Sequence, residues 1–232
     1  RDLTTQTPEG EKPYETPRAL RTDEISRYVG MFRDAARNAR AAGFDGVQVH
    51  GAHGYLIDTF LRDGVNERTD AYGGSIENRA HFLLEVTDAA IEVWGAGRVA
   101  VRISPLVLFN DMLDSQPEAL VAHVADQLSR RRIAFLEVRH EDHKLPRERA
   151  ILRVARERFK GVLMTNGSHT QETGEAAIAS GAADAVVFGR LYIANPDLVE
   201  RFTRKAPLNA LNTARLYGGG SDGYTDYPFL AA

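Results

Sequence analysis

A short β-branched run, Val47 to Val49, ends in His50; His53 follows three residues later and Tyr55 two after that. Two imidazoles and a phenol at the carboxyl end of a strand form a polar cluster where α/β proteins keep their chemistry. A metal reading finds little support, because zinc takes three or four ligands and no third His, Cys or carboxylate stands at a recognisable spacing. A plainer reading makes them polar loop residues, or one of them a hydrogen-bonded core histidine. Tyr55 by default packs its ring and leaves its hydroxyl wet.

Arg102 stands in the apolar run Val-Ala-Val-Arg-Ile. Arginine is seldom buried unpaired, so a carboxylate or a ligand is expected beside it. Thr165-Asn166-Gly167-Ser168 and Phe188-Gly189-Arg190 are strand ends followed by helical pattern. Each alone is a tight turn. At the last two strand ends of a barrel-like order they suit phosphate, through backbone N–H groups and the Arg190 fork. The polar run from Arg62 to Arg79, with Asn66, Arg68, Asp70, Tyr72, Glu77 and Asn78, is expected to hold its own loop in place.

These residues need a frame. Val47–Val49, Val99–Ile103, Phe135–Val138, Val162–Thr165 and Ala185–Phe188 read as short apolar strands. Between them lie helical patterns near 76–94, 117–130, 147–159 and 171–179, and another starts near Asn195-Pro196. Strand and helix in alternation predict an α/β fold with a parallel sheet. Ahead of it, residues 1–18 read as an extended surface segment, and Thr22-Asp23 as the cap of a helix ended by Gly43. The tail from Leu208, rich in Gly, Asn, Asp and Tyr, is expected to wrap the surface. With 232 residues, 43% of them apolar, the chain can build a sizeable core. A net charge of −3 gives no reason to expect nucleic acid or a membrane surface as partner. The absence of cysteine excludes disulfides and thiolate chemistry, and a cytoplasmic location is the default.

The stretch from Gly43 to Pro105, above all Asn66 to Arg79 (NERTDAYGGSIENR), closely resembles the old yellow enzymes, flavin-dependent ene-reductases on a (β/α)8 TIM barrel. The resemblance covers essentially the whole chain and implies one partial barrel domain, 1–232. About five of eight β/α units are present, read as strands four to eight, so the chain is expected to be the C-terminal portion with the first three units absent. It implies FMN as cofactor and NADH or NADPH as reductant. The reaction it implies is reduction of the C=C bond of an α,β-unsaturated carbonyl compound. His50 and His53 then bind the carbonyl oxygen, where some members have asparagine at the second position, and Tyr55 donates the proton. Arg102 faces the N1/O2 edge of the flavin. Gly167, Ser168, Gly189 and Arg190 hold the phosphate, and Tyr217 lines the substrate pocket. No metal is expected. The alternative is a non-catalytic fragment or subunit. In either case five strands leave two open sheet edges, so a complementary N-terminal barrel portion or self-association is expected. A phosphate-binding hydrolase would lack both nucleophile and metal set.

Overall fold

The computed structural model describes residues 4–7, 9–216 and 220–230. Its centre is a parallel sheet of five strands in sequential order: β3 (Val47–Gly51), β4 (Val99–Ile103), β5 (Phe135–Arg139), β6 (Val162–Asn166) and β7 (Ala185–Val187). Sequential order without a reversal is the order of a barrel; a doubly wound sheet reverses at a switch point.

The long helices are α1 (Thr22–Ala41), α3 (Ile76–Trp94), α4 (Pro117–Arg131) and α5 (Pro146–Arg158). They pack in succession, α1 on α3, α3 on α4 and α4 on α5. Because side chains alternate along a strand, one face of the sheet carries Val49, Val99, Val101, Ile103, Leu136, Val138 and Leu163, all buried. That face meets Phe82, Leu83 and Val86 of α3, Leu120, Val124 and Leu128 of α4, and Ile151 of α5 in one core cluster. Register places Gln48, His50, Arg102, Glu137, Arg139, Met164 and Asn166 on the opposite face. A face this polar is not a second helix-packing face. In a barrel, this is the face that turns inward.

Three expectations are corrected. The N-terminal segment is not merely extended: β1 (Thr4–Thr7) and β2 (Gly10–Pro13) pair as an antiparallel hairpin. Its polar sequence carries no apolar alternation to announce it. Helix α1 is preceded by Arg21 as cap residue, with the Glu24 carboxylate accepting the Arg21 backbone N–H at 2.7 Å, so Thr22 and Asp23 are already inside the helix. The long loop after His53 contains the short helix α2 (Leu56–Leu61), and α7 (Arg190–Ala194) intervenes before α8 (Leu198–Arg204). Short α6 (Gln171–Ala179) completes the set.

A buried arginine of α8 ties described parts of the tail to that helix. Arg201 donates to Asp197 at 2.6 Å, to the Pro207 carbonyl at 2.6 Å and to the Pro228 carbonyl at 2.8 Å. The polar loop is likewise self-supporting. Asn66 donates to the Phe60 and Tyr72 carbonyls at 2.6 and 2.8 Å, Arg68 to Asp70 at 3.0 Å, and Asn78 to the Gly73 carbonyl at 3.0 Å.

Candidate active site

The site is built outward from the end of β3. His50 lies opposite Arg102 in the β3–β4 register, and Arg102 lies opposite Glu137 in the β4–β5 register. After Gly51 the chain turns through His53 and Gly54, both left-handed with φ of 58° and 71°. A Cβ on Gly54 would lie 2.6 Å from the Asn110 Cβ, so only glycine fits there. Histidine is among the few side chains found in left-handed backbone with any frequency. The turn is pinned from outside: the His53 N–H donates to Ser104 Oγ at 2.8 Å, Asn110 donates to the His53 carbonyl at 3.0 Å, and the Gly54 N–H donates to Asp58 at 2.9 Å. Asp58 is buried and receives Arg62 at 3.1 Å, while the same guanidinium grips the Ser104 and Pro105 carbonyls. Burial raises the Asp58 carboxyl pKa, with Arg62 and the Gly54 N–H opposing the rise.

The result brings three rings together. The centroid of His50 lies 5.6 Å from that of His53 and 5.5 Å from that of Tyr55. Tyr55 precedes α2 and is 57% exposed. Partial desolvation, from neighbours that crowd an otherwise exposed ring, and next the Arg102 charge, lower the pKa of His50. The same causes, joined by Arg139 and His50, bring His53 from 6.5 to about 4. At neutral pH the His53 ring is therefore uncharged, with one N–H to donate and one lone pair.

Arg102 has the carboxylate partner that its burial required. Its Nη1 stands 3.4 Å from Glu137 Oε1, and Gln48 donates to Glu137 Oε2 at 2.8 Å. The pairing is incomplete: Arg102 Nε and Glu137 Oε1 are buried with no hydrogen-bond partner among the described residues. The 3.4 Å approach is therefore a charge contact and not an aligned hydrogen bond. A guanidinium whose buried Nε has no partner suits an electron-rich ring edge beside it.

The two glycine-containing strand ends lie further along the same rim. Gly167 and Ser168 follow β6 with φ of 147° and 55°. A Cβ at Gly167 would sit 2.6 Å from the His140 carbonyl oxygen. Gly189 and Arg190 follow β7; Arg190 is exposed, and its guanidinium has no ion pair or hydrogen bond among the described residues. Two to three strand spacings, roughly 10–14 Å, separate these turns from Arg102. A half-buried guanidinium with an unpartnered Nε at one end, and two glycine turns with an exposed arginine at the other, fit an elongated phosphorylated ring cofactor. Tyr217 lies outside the described residues. Among the described residues no cluster of three or more His, Cys, Asp or Glu is arranged to hold a metal.

Sequence reasoning missed Gln48, Glu137, Arg139, Ser104 and Asn110. Glu137 and Arg139 were readable from the two-residue alternation with buried Val138. Ser104 and Asn110 carried no signal, since they act through backbone contacts across loops.

The model of the NADH:flavin oxidoreductase / NADH oxidase family matches residues 2–209. The chain belongs to that family. A probable flavin mononucleotide-dependent alkene reductase from Leishmania infantum is 53% identical over 219 residues, covering 94% of this chain and 60% of that protein. 12-Oxophytodienoate reductase 1 of Oryza sativa subsp. japonica is 45% identical over 224 residues, covering 94% of this chain and 59% of the relative. Among solved family structures, the old yellow enzyme homologue from Zymomonas mobilis superposes with a TM-score of 0.94 at 44% identity, over 98% of this chain and 65% of its own. Morphinone reductase in complex with tetrahydroNAD gives a TM-score of 0.91 at 45% identity, over 98% and 63%. The fold is thus a partial TIM barrel, and the chain spans about 60% of the length of its curated relatives. The expected C-terminal placement is corrected: the family alignment takes up this chain from residue 2 onward, and the assignment to a C-terminal portion is withdrawn.

Proposed function

We propose that this chain carries the carbonyl-binding and proton-donating residues of an FMN-dependent ene-reductase acting on α,β-unsaturated carbonyl compounds, with NADH or NADPH as reductant. The observation that carries it is the convergence of His50, His53 and Tyr55 beside Arg102 on the polar interior face. FMN, when bound, supplies the hydride that is added to the substrate's β-carbon.

The chain's own residues do the rest. His50 and His53 donate hydrogen bonds to the substrate carbonyl oxygen and hold the negative charge that grows on it, as an oxyanion hole does. A His53 ring that is neutral at pH 7 donates without the cost of burying a second cation beside Arg102. The Tyr55 hydroxyl gives its proton to the α-carbon. Arg102 places a fixed positive charge where the pyrimidine edge of the flavin would sit, favouring added negative charge there. Backbone N–H groups of Gly167, Ser168 and Gly189, with Arg190, would hold the phosphate, and Tyr217 would line the pocket.

Separating the two half-reactions tests the assignment. Stopped-flow measurement of Tyr55→Phe should show the oxidative half-reaction slowed by about 10²-fold or more, with flavin reduction by NAD(P)H nearly unchanged. Equal slowing of both halves would reduce Tyr55 to a pocket-shaping role.

A second reading, a non-catalytic subunit or fragment, draws on the two sheet edges. Among the described residues β3 and β7 each have a single neighbour strand. A complementary barrel portion, on the same or another polypeptide, or a second copy of this chain would cover them.

A further inference from the structure

Beyond the ends of β5 and β6 lies a second group of histidines, His140, His143 and His169, that the reaction above does not use. His143 Nδ1 lies 2.6 Å from the Gly167 carbonyl oxygen. A carbonyl oxygen can only accept, so Nδ1 carries the proton and donates. We propose that His143 is a positioning residue for phosphate bound at the Gly167–Ser168 turn, acting through the Gly167 carbonyl. The inference rests on the reading that this turn holds the FMN phosphate.

The argument is one of peptide geometry. In a planar trans peptide the C=O and the following N–H point in opposite directions. Fixing the Gly167 oxygen against His143 therefore fixes the Ser168 N–H to point away from it. The Ser168 N–H donates to no described backbone or side-chain group, so it stays free for a ligand. Gly167 has no side chain of its own to lock the plane, and the His140 carbonyl already occupies the place of a Cβ. The lock must come from a neighbour.

His143 is itself held rigid. Its side chain is 14% exposed, with the Asp142 carboxylate 4.0 Å from Nδ1. Its ring stacks on buried His169 with centroids 4.0 Å apart and planes within 17°. His169 is clamped in turn by Thr165 Oγ1 at 3.2 Å and Thr173 Oγ1 at 3.5 Å. Thr173 belongs to the first turn of α6, whose cap residue Thr170 accepts its N–H at 3.3 Å. On the strand side, His140 is anchored to Glu148 at 2.7 Å, and its backbone N–H donates to the Asn166 carbonyl at 2.7 Å. The turn is thus gripped from α6 and from the β5 loop at once.

The test compares FMN with riboflavin, which lacks the phosphate, by fluorescence titration of the flavin-binding protein. His143→Phe keeps an aromatic ring for the stack and removes the donor; His143→Asn supplies an amide N–H of similar reach. The expected result is FMN affinity weakened about fivefold in His143→Phe, riboflavin affinity unchanged, and FMN affinity largely restored in His143→Asn. A His143→Phe protein that keeps the wild-type preference for FMN over riboflavin overturns the inference alone. So does one that loses affinity for both flavins equally, since that is a general packing effect. A wild-type protein with no preference for FMN removes the phosphate reading itself, and the inference with it.

Discussion

Position 53 has a left-handed backbone, and the proposed reaction asks it also for a ring or amide N–H to donate. Histidine and asparagine meet both, which gives a physical reason for the resemblance to admit either. Losing the donor should weaken phenol binding as well as enone turnover, because a phenolate presents a similar oxygen anion. Titration of His53→Ala with a phenol should show this, and elemental analysis of the wild type should find no stoichiometric zinc. The lowered pKa carries its own consequence. Between about pH 6.5 and 4 the unfolded chain takes up a proton at this residue that the folded chain refuses. Burial lowers His169 from 6.5 to about 4 as well, His143 and His140 adding to the effect. By linkage, stability is highest above the ordinary histidine pKa and falls as pH drops through that window, with no further loss from these two groups below about 4. Urea midpoints measured from pH 7.5 to 4 should decline in wild type and decline less in His169→Phe. The convergence of His50, His53, Tyr55 and Arg102 was legible because their types are rare at such places in a chain. The partner of Arg102 was legible only as a category. Glu137 lies 35 positions away, and register alone brings it alongside.

At the scale of elements, the turn that bears the site depends on α2 more than on β3. Asp58 and Arg62, one helical turn apart, are both nearly fully buried. Together they bind the Gly54 N–H on one side and the 104–107 chain on the other. Arg62→Ala would strand a buried carboxylate beside empty space, and breaking such a pair costs about 3–5 kcal/mol. Urea denaturation should show that loss, and the site should lose phenol affinity with it although Arg62 touches no ligand. None of this was readable beforehand. Leu56–Leu61 is too short for a helical period to stand out, and a buried salt bridge has no signature in a charged loop. The five strands and the helices between them were readable, since apolar runs of this length bounded by glycine leave few alternatives. The hairpin at Thr4–Pro13 was not, because hydrogen bonds between polar strands leave no apolar alternation behind.

For the whole molecule, each β/α unit repeats the same local pattern: an apolar strand, a loop, an amphipathic helix. That repetition makes the barrel type legible and leaves a unit's place around the barrel without a local mark, which is why the expected placement needed correction while the fold did not. The same repetition sets the last prediction. A barrel closes because its last strand pairs with its first, and here β3 and β7 pair on one side each among the described residues. The interior face that closure would enclose includes Gln48 and His50, both exposed, and half-buried Arg102, Arg139 and Asn166. Open parallel edges are templates for further pairing, and a flavin bound against one wall would leave its other face to water. The 232-residue chain alone should therefore self-associate and hold FMN weakly, and a complementary barrel portion should restore a defined mass and tight binding. Light scattering and a flavin absorption spectrum, taken before and after such a portion is added, measure both. A monodisperse monomer that already holds FMN tightly and reduces an enone would show that five strands suffice, and would leave the open edges without a partner to explain.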